Sequence, residues 1–344
     1  MDEATHCEVG YCSFTNDDNS AETTNQQLIQ MLRSDSTGPD YHYIHHNYFA
    51  DVTPGADENG FETIQLFHGA EGGRGASRTV VEANVFERCS GETEIVSVKC
   101  SENIIRHNVF LECRGGLVVR KGSGNLIDGN VFLGKHAAGT GGIRFQGAGQ
   151  TVINNYMAGL AHSAITLHNG DPENYYDPVT SAVIASNTVV DCVRAVNIGL
   201  RHPKRDSSIP PSGVVFTNNI LETSGAPIFD PDSSMKNWTL EGNLVSGSFP
   251  QSDVPTGILF ENPLLLTLSF GIRVPEEGSP AIGQAQGSYP QVTHDVFGSS
   301  RPVEGKTIGA VEKVLDRLPV SRDTVGPEAA PDALSMAGHD GGTL

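Results

Sequence analysis

One asparagine returns along this chain at a near-constant step, and that rhythm limits the fold more than any other feature. Short segments reading apolar, any, any, Asn, apolar place it at Asn47, Asn84, Asn108, Asn130, Asn155, Asn187, Asn219 and Asn243, with separations of 37, 24, 22, 25, 32, 32 and 24 residues. A step near 23 with occasional insertions predicts a solenoid in which equivalent residues stack coil upon coil. The expected fold class is therefore all-β, a single-stranded right-handed parallel β-helix. The amide side chain explains the choice of residue, since it can donate to and accept from the same group one coil away. Asn also tolerates the left-handed backbone that a sharp turn needs. The residues that follow should fill a narrow core in rows of like side chains, such as Phe49, Phe86, Phe110 and Phe132. Cys89, Cys113 and Cys192 each fall five residues after their Asn, and read as a row of buried reduced thiols in preference to a disulfide or a catalytic group.

The rhythm also sets the domain organisation. Residues 41–312 form the β-helix domain, residues 1–40 an N-terminal partial coil with a short helix at Asn25 to Arg33 capping the core, and residues 313–344 a flexible tail. Stretches around Ser279 to Gly283 and Ile308 to Glu312 read as a closing coil. The 39 Gly and 19 Pro fit many short strands joined by turns. No apolar run is long enough to cross a membrane, and the polar, acidic stretch Met1 to Ser20 shows no signal peptide. With 22 basic against 41 acidic residues, the formal charge of −19 disfavours nucleic acid and anionic membrane as partners. It leaves room for an acidic substrate where a local basic cluster or a bound cation reverses the field. The six cysteines contain no CxxC pair, which argues against a zinc site.

Between the Asn turns runs another strand, aligned here on Ile64, Ile95, Val119, Ile143, Ile165 and Val196 as inward residues. Alternation then turns Gln65, Val96, Arg120, Arg144, Thr166 and Asn197 outward, with Glu92 and Glu94 on the same face and Lys99 at its edge. Carboxylates flanked by cations are either a solvated salt-bridge face or a site. As a site, two carboxylates could serve a glycoside hydrolase directly. Their basic neighbours favour ionised carboxylates binding a hard cation.

The run Gly91-Glu92-Thr93-Glu94-Ile95 with Lys99, followed by Arg120 and by Gly141-Gly142-Ile143-Arg144, resembles polysaccharide lyase family 6, the alginate lyases and chondroitinase B. Ile44 to Phe49, Asn59 to Ile64, Val81 to Phe86 and Val152 to Tyr156 extend the resemblance, which is strong over Tyr41 to Gly199. It implies a pectate-lyase-like solenoid that cleaves a uronic-acid polysaccharide, most readily alginate, by calcium-assisted β-elimination. It further implies Ca2+ ligands at Asn59, Glu92 and Glu94, the base at Lys99, the acid at Arg120 and a substrate-binding Arg144. A secreted or periplasmic location is implied as well.

Two positions depart from the family pattern. Lys121 stands where His usually follows the catalytic Arg, and Gln65 where the family usually has Arg; both fall in the expected substrate groove. His168 either lines that groove or is structural, and Tyr175, Tyr176 and Arg201 in two insertions either clamp sugar or belong to surface loops. A dermatan or chondroitin lyase, a β-helix glycoside hydrolase and an inactive carbohydrate-binding protein stand as alternatives.

Overall fold

The computed structural model describes residues 4–16, 18, 25–32, 38–56, 59–67, 75–173, 175–202, 205–227, 235, 237–248, 256–318 and 320–331. A representative coil contributes Ile104–Arg106, Val109–Leu111 and Gly115–Val119, three short strands separated by turns. Among the described residues these strands stack in parallel into sheets of nine, ten and seven strands. The Asn turn joins the first sheet to the second, and the third sheet carries the charged cluster.

The asparagine ladder is continuous. Each side-chain amide donates to the carbonyl oxygen of the next Asn at 2.9–3.0 Å, from Asn47 to Asn243. That same oxygen also accepts the backbone N–H of the Asn before it, so each rung pairs both the side-chain amide and the backbone N–H of its Asn. The left-handed residue is the one before the Asn: His46, Ala83, His107, Asn154, Ser186 and Asn218 have φ between 50 and 55°, and Gly129 and Gly242 fill the two remaining turns. The Asn itself is needed for its amide. A second, shorter ladder runs from Asn103 to Asn125 to Gln150 at 2.9 and 3.2 Å where coils enter the first sheet.

Inside, Phe14, Phe49, Phe86, Phe110 and Phe132 stack with centroids 4.4–5.0 Å apart and planes within 12°. Met157 and Val189 continue the row. Cys89, Cys113 and Cys192 are buried, and all six cysteines are free thiols. Burial pushes the Cys192 thiol up to about 12, the behaviour of a small apolar filler.

Three features differ from the sequence expectation. The segment from Asn25 forms no helix over its described residues; Ile29–Gln30 is a strand pairing with Ile64 and Gln65, and Arg33 lies outside the described residues. A short polar stretch cannot meet the cost of helix nucleation, whereas the open sheet edge offers it ready partners. The closing coil is also absent. The last coil strand is Ile258–Phe260, after which the antiparallel pair Leu265–Thr267 and Arg273–Pro275 turns back over the outer face of the second sheet. There Val274, Val296, Ala310, Val311, Val320 and Val325 bury Val85, Val109, Val131, Tyr156 and Val190, which the apolar outer face of that sheet would otherwise expose. The tail expected from residue 313 is instead packed over its described part, since Val320 and Val325 are buried and Gly326 N–H bonds His46 O at 2.8 Å; residues 332–344 lie outside the described residues.

Candidate active site

The third sheet brings the charged residues together, in a register other than the apolar count gives. Inward-facing Ile64, Val96, Leu117, Ile143, Ile165 and Val196 are cross-strand partners. Outward-facing Gln65, Ser97, Val118, Arg144, Thr166 and Asn197 form the adjoining row. Ile95 and Val119 were thus misaligned, and Arg120 is not the direct neighbour of Arg144. Register shifts at Gly115, Gly116 and Leu117 cause the slip. An apolar pattern cannot reveal it, because Ile95, Val96, Val98, Leu117, Val118 and Val119 are all buried. Glycine is required there: a Cβ on Gly116 would lie 1.9 Å from Gly142 O, and one on Gly142 2.1 Å from Ala164 O. These glycines floor a trough of 390 Å³ rimmed by Arg114, Arg144 and Arg194.

Just past the strand ends, Arg120 N–H bonds Val98 O at 2.8 Å, which sets Arg120 beside Lys99 in the neighbouring coil. The Lys99 ammonium lies 3.3 Å from Glu62 Oε1. Glu94 receives Arg144 Nη2 at 2.9 Å and Ser97 Oγ at 2.6 Å, with Arg120 Nη1 at 3.7 Å from the same carboxylate. The two arginines therefore converge on one carboxylate from different rows. Gly60 N–H donates to Glu92 Oε2 at 2.7 Å.

Glu62, Glu92 and Glu94 offer oxygens that all lie within 4.8 Å of one another. Sequence reasoning missed Glu62. The signal was present, since aligning Ile64 with Val96 puts Glu62 and Glu94, each two residues earlier, side by side. Asn59 is exposed, one residue before the Gly60 that binds Glu92. Burial alone would raise the Glu62 carboxyl, but hydrogen bonds from Gln27 and Gln65 and the Lys99 charge outweigh it and hold it below the ordinary value. Glu92 goes the other way, pushed up to about 7 by burial and by the charges of Glu62 and Glu94. The expectation of an ionised pair thus meets one carboxyl that resists ionising. Three crowded carboxylates, one of them strained in this way, form an oxygen donor set suited to a hard divalent cation.

The remaining candidates separate. Gln65 is buried; it donates to Glu62 at 2.5 Å and accepts from Gln30 at 2.7 Å, so it orients a carboxylate and does not line the groove. Lys121 is buried with Nζ 5.1 Å from the Tyr175 ring centre, and Arg205 Cζ stands 3.6 Å from the same centre. His168 is buried, its Nδ1 2.8 Å from Asn169 O. Burial, with Arg144, His202 and Arg120 nearby, lowers it to about 4, so it is neutral at pH 7. Arg120, Tyr175, Tyr176, His202 and Arg205 line a cleft of 630 Å³ beside the glycine trough, and Arg201 is exposed. Tyr175 and Tyr176 therefore belong to a groove wall, while the structure gives Arg201 no comparable place.

Comparison with known proteins bears on the family and the fold. The chondroitinase B family model matches residues 1–226. The structure is similar to that of the family 6 alginate lyase AlyGC, at 25% identity and TM-score 0.73, covering 96% of this chain and 41% of that one. It is also similar to a mannuronic-acid-specific family 6 lyase from human gut microbiota, at 27% identity and TM-score 0.60, covering 75% and 60%. A further family 6 alginate lyase, solved with a trisaccharide, shares the fold at 19% identity and TM-score 0.70, covering 89% of this chain and 67% of that one. The chain thus spans about two-fifths of the length of AlyGC. No curated protein matched it. The family model covers well over half of the sequence and the fold agrees with it: the chain belongs to polysaccharide lyase family 6, which includes chondroitinase B and the alginate lyases.

Proposed function

We propose that this chain is a polysaccharide lyase acting on a uronate polymer of the alginate type by calcium-assisted β-elimination. The observation that carries this reading is the meeting of three carboxylates, one amine and two guanidinium groups at the edge of one trough. Glu62, Glu92 and Glu94 would hold calcium, with the Asn59 amide at the rim. Bound there, the ion would neutralise the sugar carboxylate and make its C5 proton more acidic. Arg144 is placed to pair with a substrate carboxylate through its planar fork. Lys99 Nζ takes the C5 proton once the ammonium has passed its own proton to solvent. The electron pair from that C–H bond becomes the C4–C5 double bond, and the C4–O4 bond breaks. Arg120 would face the departing O4, where a guanidinium stabilises the developing charge more readily than it gives up a proton, and O4 takes its proton from water. A polymer substrate fits a secreted or periplasmic protein, and among the described residues no helix is long and apolar enough to cross a membrane.

The test is a polymer panel followed by ultraviolet absorbance of the unsaturated product. Alginate with calcium should give a rising signal, lost with chelator and regained when calcium is returned. The chondroitinase B match makes dermatan sulfate the second substrate to include. Chelator-insensitive cleavage would contradict the cation site, and no absorbance on any uronate polymer would contradict the lyase.

The raised Glu92 carboxyl adds a pH test. A carboxyl whose folded value lies above its unfolded one contributes stability at low pH that is lost as pH rises from the unfolded value, 4.5, through about 7. A cation bound to the ionised cluster opposes that loss. The increase in melting temperature on adding calcium should therefore grow from pH 5 to pH 8, and Glu92→Gln should flatten the trend. Equal increases at both pH values in the wild type would contradict the assignment.

A further inference from the structure

Two insertions, one after the strand Ser163–His168 and one after the strand Arg194–Leu200, meet beside the trough and wall the 630 Å³ cleft that Arg120 also lines. Buried polar groups hold both in place. Asp171 accepts the backbone N–H groups of Glu173, Tyr175 and Tyr176 at 3.0, 3.1 and 2.6 Å. Gly170 and Ile209 exchange backbone hydrogen bonds at 2.9 and 3.0 Å, and the Asn169 amide donates to Ser207 O at 3.0 Å, tying one insertion to the other. Ser207, itself buried, donates its backbone N–H to Arg205 O at 2.9 Å and accepts the His202 N–H on its hydroxyl at 2.7 Å. The first insertion thus fixes the backbone of Tyr175, and the second that of Arg205.

Their side chains meet in the cleft. Arg205 Cζ lies over the Tyr175 ring, 3.6 Å from its centre, which is van der Waals contact for flat groups, and Lys121 Nζ lies 5.1 Å from the same centre. A stacked guanidinium keeps its N–H donors at its own edges, in a fork directed away from the ring. Among the described residues one carboxylate pairs with that fork, Glu173 at 4.0 Å, and it is 86% exposed. Asp171 spends its oxygens on its own loop, and Asp206, which also lines the cleft, is exposed. In a chain of formal charge −19, Arg120, Lys121 and Arg205 are thus gathered around one ring and one cleft, where they reverse the field locally in favour of an anion. We propose that Arg205 is the specificity-determining residue of a subsite in this cleft, where its fork takes the carboxylate of the uronate unit next to the one that loses its C5 proton. The inference rests on the lyase reading above and names the substrate group that the cleft reads. A carboxylate accepts two parallel N–H bonds from the fork, which a neutral hydroxymethyl group in its place cannot match. The Tyr175 stack orders the guanidinium before the sugar arrives, so less side-chain freedom is lost on binding.

Arg205→Gln removes the fork and the charge and leaves the backbone bonds made by Ser207 and Asp171. Binding of an alginate pentasaccharide is measured by calorimetry with calcium, in the full chain carrying Lys99→Ala to slow turnover, and again with the same pentasaccharide after chemical reduction of its carboxylates to hydroxymethyl groups. Arg205→Gln should weaken binding of the intact pentasaccharide about tenfold, the loss of one charged hydrogen-bonding partner, and should not alter the weaker binding of the reduced one. Equal affinity for the intact pentasaccharide with and without Arg205 overturns the inference. An equal loss for the intact and the reduced pentasaccharide also overturns it, because Arg205 would then only shape the wall. If the chain with Lys99 in place forms no unsaturated product from any uronate polymer while the intact pentasaccharide still binds in an Arg205-dependent way, the lyase reading fails and the subsite stands. Product formation with binding indifferent to Arg205 sinks the subsite and leaves the lyase reading intact.

Discussion

Lys99→Ala is expected to lower turnover of a uronate polymer by about 10²–10⁴-fold, the usual range for loss of a positioned general base. Lys99 is the amine set beside Arg120 at the rim of the trough, 8% exposed and 3.3 Å from Glu62. Burial keeps it out of bulk water, and the strand immediately before it fixes its backbone, so no neighbouring side chain can replace it without moving a coil. KM should change little, because the proton is taken only on the way to the transition state. The variant also removes the cation facing Glu62, leaving that carboxylate with Glu92 and Glu94. Its melting temperature should therefore fall more without calcium than with it. Full activity in Lys99→Ala would remove Lys99 from the role of base.

The second large effect concerns stability. Asn130 donates to Ile105 O at 2.9 Å and to Asn155 Oδ1 at 3.0 Å, and accepts from the backbone and side-chain nitrogens of Asn108 at 3.1 and 3.0 Å. All of these groups are buried. Asn130→Ala leaves two donors on Asn108 and the Ile105 carbonyl without their partner, and each unsatisfied buried group costs about 1–3 kcal/mol. A loss of about 3–5 kcal/mol is expected from denaturant unfolding, after allowing for partial relaxation. Glu102→Ala removes a surface ion pair with Arg78, both side chains 49% exposed and screened by solvent, and should leave the denaturant midpoint essentially unchanged. Similar effects for the two variants would mean that the ladder is not what holds the coils in register.

The architecture was legible because one residue type served one physical task at every coil. The amide ladder and the Phe row are periodic in sequence for the same reason that they are stacked in space. The third sheet was less legible. Ile95 and Val96 are both buried, as are Leu117, Val118 and Val119, so apolar alternation could not set the register, and glycine bulges shifted it by up to two residues. That slip hid Glu62 beside Glu94 and made Arg120 look like the neighbour of Arg144 when it stands beside Lys99. The C-terminal flap was not legible either, because what it covers is an apolar outer face formed by separate coils, which only the assembled sheet displays. Tyr176 was visible as an aromatic in an insertion.

The most direct test of the chemistry is the mass balance of cleavage. A defined alginate oligosaccharide is incubated with the protein and calcium, and the two fragments from each cut are weighed by mass spectrometry. β-Elimination predicts that the fragment masses sum to the mass of the parent, with the double bond on one of them. A sum larger by one water, with no unsaturated fragment, would show hydrolysis and contradict the assignment of Lys99 and Arg120.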